Sequence, residues 1–503
     1  MKMFLILAGL LSASTSFGAV KINVDQLNLK LKNSGATWVA KENQLSGLSR
    51  EEARRHMGLR DEDEGVSFSS QQNTILSNLP TSLDWRNKDG LNWVSPVLDQ
   101  GNCGSCVAFS AVATLETQYR IATGFSGFNL KLSPQNLFSC GGGACDYGWF
   151  PEAASRYLQR TGVPDEACMP YISGATGQDV ACSASCKQTA SRSLRISTYN
   201  RPSRNTKDIN SVRQALQSGP LITTMMVYAD FMVYSSGIYK HVTGEGLGGH
   251  AVSLIGYDDS RRAFLIRNSW GETWGEKGFG WISYDDISGI GDQTWGFVVP
   301  AITGAVTVLS PLDYAYLSGT SNLQARSTFT NAASTQLTII DKNGATVWTN
   351  KCSGSDCNEM MDTATLPDGR YEIHASALDA SGSKLGDSAP QFFYIANQKP
   401  NLSLSFTGTK GADLDKSLKD RIEMAVHADS STVPMSSVEF HYKGTDGVDH
   451  FRATAVVIDG LTMGWRTNVI PNGTYEIWMV GRLKTNNKEF TIETPHKTVQ
   501  VAN

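Results

Sequence analysis

Apolar and polar positions divide the chain into successive stretches of different texture. Residues 4–11 (Phe-Leu-Ile-Leu-Ala-Gly-Leu-Leu) form a short unbroken apolar run behind Lys2, followed by the small residues Ser16 and Gly18. This pattern predicts a secretory signal peptide over 1–18, and the run is too short to span a bilayer. Residues 19–79 are polar, rich in Lys, Glu, Asn and Ser, with few aromatics. Ser49 to Gly58 predicts a short capped helix, with Ser at the cap, Glu51 and Glu52 in the first turn and Gly after the stop. The rest of 19–79 offers too few apolar residues for a core of its own, and 60–79 reads as an acidic, then polar, loop.

From Leu79 the texture becomes apolar and aromatic, with Trp at 85, 93, 149, 270, 274, 281 and 295. Val112, Leu115 and Tyr119 at helical spacing predict a helix over 106–123, with Gly124 as its stop. Further helical patterns fall around 133–138 and 151–161. Apolar runs at 221–227, 251–257, 263–266 and 278–283 predict strands. Helices first and strands later predict an α+β unit of two lobes.

Beyond Pro300, short strand-like runs alternate with Gly, Asn and Ser turns. Leu366-Pro367-Asp368-Gly369-Arg370-Tyr371-Glu372-Ile373 recurs 104 residues later as Ile470-Pro471-Asn472-Gly473-Thr474-Tyr475-Glu476-Ile477. Each copy is a Pro-Asp/Asn-Gly turn leading into an aromatic-bearing strand. Two tandem β-sandwich (Ig-like) modules are expected, at 303–398 and 399–503, after a folded unit at 80–302.

Composition narrows the partners. The chain has 503 residues, 40% of them apolar and 18% charged, with a formal charge of −4. A balance this close to neutral argues against nucleic acid or an anionic membrane as the main partner. No later run is long enough for a membrane span. Nine cysteines stand at 103, 106, 140, 145, 168, 182, 186, 352 and 357. In an exported chain they should pair, and an odd number leaves at least one over. If Cys106 is the free one, the other eight can make four bridges, and Cys352 with Cys357 could close a tight loop.

The candidate chemistry centres on Gln100-Gly101-Asn102-Cys103-Gly104-Ser105-Cys106. Cys106 opens the expected helix, where unpaired N–H groups and the positive dipole end favour a thiolate. A thiolate nucleophile needs a base, and 80–300 contains only His241 and His250. His241 lies in a polar loop and is expected to be exposed. His250 opens an apolar strand and is the better candidate. Asn268 can accept a hydrogen bond from one imidazole nitrogen and leave the other aimed at sulfur, under cover of Trp270 and Trp274. Gln100 and the Cys106 backbone N–H can supply donors for an oxyanion. No metal or cofactor is expected, because neither H-E-x-x-H nor a G-K-[ST] loop occurs. Asp285, Asp286 and Asp292 read as a solvated turn.

Gln100 to Phe109, Gly249-His250-Ala251 and Asn268-Ser269-Trp270-Gly271 together resemble the papain/cathepsin family of cysteine proteases. His250 and Asn268 lie 144 and 162 residues beyond Cys106. The resemblance covers about 35–300. It implies a two-lobed papain-like domain, with Cys106 as nucleophile, His250 as general base and acid, Asn268 as orienter and Gln100 as oxyanion donor. Residues 19–79 would be an inhibitory propeptide, with Thr37 to Ala40 and Asn43 similar to the short propeptides of cathepsin B-like enzymes. Cys145-Asp146-Tyr147-Gly148 falls at the family's substrate shelf, so Tyr147, Gly148, Trp149, Phe150, Gly249 and Ala251 would contact substrate. The resemblance pairs Cys103 with Cys145 and Cys140 with Cys182. Cys168-Met169-Pro170-Tyr171 is similar to the dipeptidyl-peptidase cathepsins, which pairs Cys168 with Cys186.

Three positions depart from the family pattern. Val107 stands where an aromatic is usual, Gly249 where Asn or Asp precedes the histidine, and Tyr147 at the first shelf glycine, where it could narrow the cleft. The expectation is a monomeric, secreted or periplasmic cysteine endopeptidase made as a zymogen, with cell-surface attachment open. Protein or peptide would be its substrate, with an apolar residue at P2, and a surface or polymer ligand is a candidate partner for the β-modules. The competing expectation is a cell-surface binding or adhesion protein that keeps a weakly active or inactive protease-like lobe.

Overall fold

The structure is a computed structural model that describes residues 22–60, 79–204, 206–398, 402–408, 414–419, 421–430, 435–444, 447–454, 461–467 and 470–503. The expected signal peptide lies outside these residues. Contacts divide the chain into two units, one of residues up to 118 together with 132–299, the other of 119–131 with 300–503.

The helix Cys106–Thr123 begins at the cysteine, and all but its last residues belong to the first unit. It ends before Gly124, whose φ of 65° suits a stop that other residues resist. Two more helices follow at Pro134–Gly141 and Pro151–Arg160, each with proline in its first turn, where the missing N–H has no intrahelical partner to lose. The later strands form a sheet in the order Trp38–Ala40, Tyr234–Tyr239, Phe279–Ser283, Ala263–Arg267, Gly246–Asp258, Leu221–Tyr228, Thr294–Val298, Thr198–Asn200. Gly246–Asp258 is the long central strand, and Ser82–Asp84 also pairs with it. Ala251, Leu254, Ile255 and Tyr257 on this strand are fully buried, which accounts for its near-continuous apolar run.

The N-terminal segment has more structure than its composition suggests. A helix over Val24–Ser34, capped by Asn23 and stopped by Gly35, was not expected. Its signal was Leu27 and Leu31, one helical turn apart and both buried. Asn28 grips Ala40 through both amide groups, at 2.9 Å each. Trp38–Ala40 adds an edge strand to Tyr234–Tyr239, and the Trp38 indole N–H donates to the Lys240 carbonyl at 2.9 Å. Asn43 donates to the Met232 carbonyl at 2.9 Å. The segment thus borrows the core of the folded unit in place of building its own. The helix Arg50–Arg55 begins at the cap foreseen at Ser49, which forms a capping box with Glu52.

The second unit holds two β-sandwiches of matching topology. The first sets Val306–Ser310, Thr320–Ser327 and Asp356–Asp362 against a larger sheet that contains Gly369–Leu378, and the second sets Leu402–Gly408, Arg421–Ser430 and Leu461–Arg466 against one that contains Gly473–Lys484. The repeated sequence has one structural purpose in both. The Tyr371 hydroxyl donates to the Pro367 carbonyl at 2.7 Å, and the Tyr475 hydroxyl to the Pro471 carbonyl at 2.8 Å. The modules also meet each other: Ser318 N–H donates to Asn486 at 2.8 Å, and Ala396 and Leu483 form a small shared core.

Candidate active site

Cys106, His250 and Asn268 come from the start of a helix, the middle of the central strand and the loop after Ala263–Arg267. Cys106 is the one free cysteine among the described residues, because Cys103–Cys145, Cys140–Cys182, Cys168–Cys186 and Cys352–Cys357 are bridged. The His250 Nε2 lies 2.8 Å from the Asn268 Oδ1, and that oxygen also accepts from the Ser269 N–H at 2.8 Å. An oxygen with this second donor accepts only, so the Nε2 carries the proton and the neutral ring keeps its lone pair on Nδ1. Trp270 stacks on the imidazole at 4.7 Å, and Trp274 meets Trp270 edge-on at 5.4 Å. Both indoles are fully buried, as covering the Asn–His hydrogen bond requires.

The Gln100 carboxamide is held from several sides. Its Oε1 accepts from the Ser269 hydroxyl at 2.7 Å, and its Nε2 donates to the Cys103 carbonyl at 3.0 Å. Tyr171 braces the same turn, with its hydroxyl 2.7 Å from that of Ser105 and donating to the Gln100 carbonyl at 2.8 Å. Ser269 and Tyr171 were not foreseen as supports. Ser269 stood inside a quoted motif, but only the folded contact reveals what it holds.

The cleft itself is filled by residues 56–60 of the N-terminal segment. The His56 carbonyl accepts from Gln100 Nε2 and from the Trp270 indole N–H, each at 3.2 Å. The N–H groups of Gly58 and Leu59 donate to the Gly249 carbonyl at 3.2 and 3.1 Å. The Trp149 N–H donates to the Gly58 carbonyl at 2.8 Å, and the Arg60 N–H donates to the Trp149 carbonyl at 3.0 Å. Leu59 and Trp149 therefore form a parallel bridge. The approach demands glycine: a Cβ on Gly58 would stand 2.0 Å from the Gly104 carbonyl oxygen, and one on Gly148 would stand 2.1 Å from that of Gly58.

This burial sets the protonation states. Cys106 is fully buried, and desolvation pushes its thiol up to about 12 against the opposing N–H groups of Ala251, Val107 and Cys106 itself. Desolvation lowers His250 to about 4, with the Asn268 hydrogen bond opposing and the nearby His56 adding to the fall. The His250 Nδ1 is buried without a hydrogen-bond partner, so no hydrogen bond joins it to the sulfur. The thiolate expected at this helix start is thus disfavoured in this form. Its place is taken by a neutral thiol beside a neutral imidazole, because water is excluded from both.

Other expectations need correction. The Trp149 ring does not edge a subsite. It is buried against Phe138 and Gly141, and only its backbone reaches the cleft. His241 is not exposed: it stacks on Tyr228 at 4.0 Å and its Nδ1 lies 3.0 Å from Asp230. Asp285, Asp286 and Asp292 are not one solvated turn. Asp286 is buried and accepts from the His241 N–H at 2.7 Å, while Asp285 pairs with Arg262 at 2.9 Å.

A profile described as papain family cysteine protease matches residues 79–295. A cathepsin B-like protein, CP3, of Giardia intestinalis is 34% identical over 298 residues, covering 56% of this chain and 92% of that protein. The chain belongs to the papain family of cysteine proteases. Another relative of this protease, the cathepsin B-like cysteine proteinase of Schistosoma japonicum, is 32% identical over 265 residues, covering 46% of this chain and 77% of that one. Among solved structures, procathepsin B S9 of Trypanosoma congolense is similar, at 26% identity and a TM-score of 0.47, covering 56% of this chain and 99% of that one. Among the described residues of the protease, no helix is long and apolar enough to cross a membrane.

Proposed function

We propose that the protein is an exported endopeptidase made as a zymogen, in which residues 19–79 are the propeptide and 80–302 the catalytic domain. The observation that carries this reading is the His56 carbonyl seated on the Gln100 donor, where a developing oxyanion would be held. In the released enzyme the Cys106 proton passes to the His250 Nδ1, and the thiolate Sγ then attacks the scissile carbonyl carbon. His250 then protonates the leaving amine, and water, deprotonated by His250, hydrolyses the thioester. Asn268 keeps the imidazole turned so that Nδ1 is the nitrogen in play.

Leu59 supports an apolar P2 preference, since its backbone is held between the Gly249 carbonyl and the Trp149 backbone while its side chain lies against Gly249. Endopeptidase action is supported by the absence of any histidine between 57 and 240, and so of a His-rich occluding loop. Export is supported by the apolar run at 4–11 and by four disulfides.

The test compares unprocessed and acid-processed protein. Peptide cleavage and labelling of Cys106 by a thiol-alkylating epoxide are expected only after processing, and equal activity in both forms would remove the zymogen reading. A processed enzyme with no activity and no labelling would instead favour the binding-protein reading. Gln100→Ala is expected to lower kcat roughly 100-fold with KM little changed, because the lost donor acts on charge that develops after binding. A change confined to KM would show that Gln100 binds substrate and does not stabilise the oxyanion.

A further inference from the structure

The geometry points to a cation-selective subsite built by Tyr147 and Phe150, which takes an arginine or lysine side chain of the substrate one residue beyond the one paired with Trp149. This rests on the reading of the cleft as a peptidase site and specifies its substrates.

Arg60 occupies this place in the structure. Its backbone N–H donates to the Trp149 carbonyl at 3.0 Å, which fixes the residue in register with the shelf. From there its guanidinium carbon reaches 5.4 Å from the Phe150 ring centre and 5.9 Å from that of Tyr147. Both distances lie within the roughly 6 Å over which an aromatic face attracts a cation. Tyr147 is 70% exposed, so the face of its ring is open to a substrate side chain.

The two rings differ in how they are held. Phe150 directly precedes the helix Pro151–Arg160, so a rigid element sets its position. Tyr147 sits between the bridged Cys145 and Gly148 in a tight turn closed by the Tyr147 N–H on the Ala144 carbonyl at 3.0 Å. A glycine at 147 would leave an open shelf. Tyrosine supplies a second wall, and the face it offers is π-electron-rich. The departure from the family pattern at this residue thus reads as a gain in selectivity.

The test uses the acid-processed full chain with fluorogenic peptides that carry Leu at the Trp149-paired position and Arg, Lys, citrulline or Glu one residue outward. Citrulline matches arginine in shape without its charge. The expected order in kcat/KM is Arg and Lys above citrulline, by about fivefold for the two rings together, with Glu lowest. Tyr147→Leu should bring the Arg-to-citrulline ratio to within about twofold, and Phe150→Leu should lower it in the same direction. Equal cleavage of Arg and citrulline peptides by the unaltered enzyme overturns the subsite and leaves the peptidase reading intact. So does a Tyr147→Leu enzyme whose ratio is unchanged. Failure to cleave any peptide, with Cys106 unlabelled, overturns the peptidase reading and the subsite with it.

Discussion

Replacing Cys106 by alanine is expected to lower kcat/KM of the processed enzyme on any peptide by at least about 10,000-fold. The sulfur is the proposed nucleophile, and no other described cysteine can substitute for it, because the remaining eight are bridged. Water activated by His250 alone would have to attack from a position the cleft does not organise. Cys106 opens its helix and lies wholly inside the fold, so the variant loses one buried sulfur and creates only a small cavity. Folding should therefore survive, which circular dichroism would verify. The wild-type protein should show one titratable thiol after processing and the variant none. Residual peptide cleavage within about tenfold of wild type would mean that the chemistry resides elsewhere.

Acid should open the zymogen, with His56 as the residue that responds. His56 is buried in the cleft, its Nδ1 lacks a hydrogen-bond partner, and desolvation lowers it from 6.5 to about 4 against the opposing charge of Glu52. The docked form therefore holds it neutral, while the released form exposes it to water. At pH above about 6.5 neither form is protonated and docking is at full strength. Between about 6.5 and 4 the released form binds a proton that the docked form does not, so docking weakens about tenfold per pH unit. Below about 4 both forms are protonated and the loss levels off near 3 kcal/mol. Cys106 and His250 do not cancel this effect: on release they pass a proton from sulfur to nitrogen and take up none between them.

At pH 5 the expected weakening from His56 is roughly 30-fold relative to pH 7.5. His56→Gln should remove most of that ratio, read as the rate of Cys106 labelling at the two pH values. Because glutamine will not fit the cleft as histidine does, the ratio and not the absolute rate is the readout. A variant with the wild-type ratio would place the acid response in another group.

Much of the proposed catalytic arrangement was legible because its signals are local. A cysteine at the start of an apolar-periodic run lands at a helix N-terminus, since 3.6-residue spacing is written along the chain. Asn268 could be read as an orienter because its amide oxygen accepts a hydrogen bond and stays neutral. The repeat in the modules was visible because the Pro-Asp/Asn-Gly turn and the tyrosine four residues beyond its proline act within one hairpin. The N-terminal helix Val24–Ser34 was missed for the opposite reason: its apolar stripe is two leucines wide, and its partner surface lies in another part of the chain.

By itself the sequence determined the position of the proposed nucleophile, the order of its proposed partners, that at least one cysteine stays unpaired and the duplication of the β-modules. Each depends on residue identity and on short or countable spacing. Only the tertiary structure decided that residues 56–60 lie in the cleft, that the Cys106–His250 pair is held neutral, that the Trp149 ring turns inward and that Tyr147 and Phe150 face one cation. Those outcomes depend on which groups lose water and which distant backbones meet. Desolvation and long-range pairing belong to the folded surface as a whole, so no local pattern encodes them.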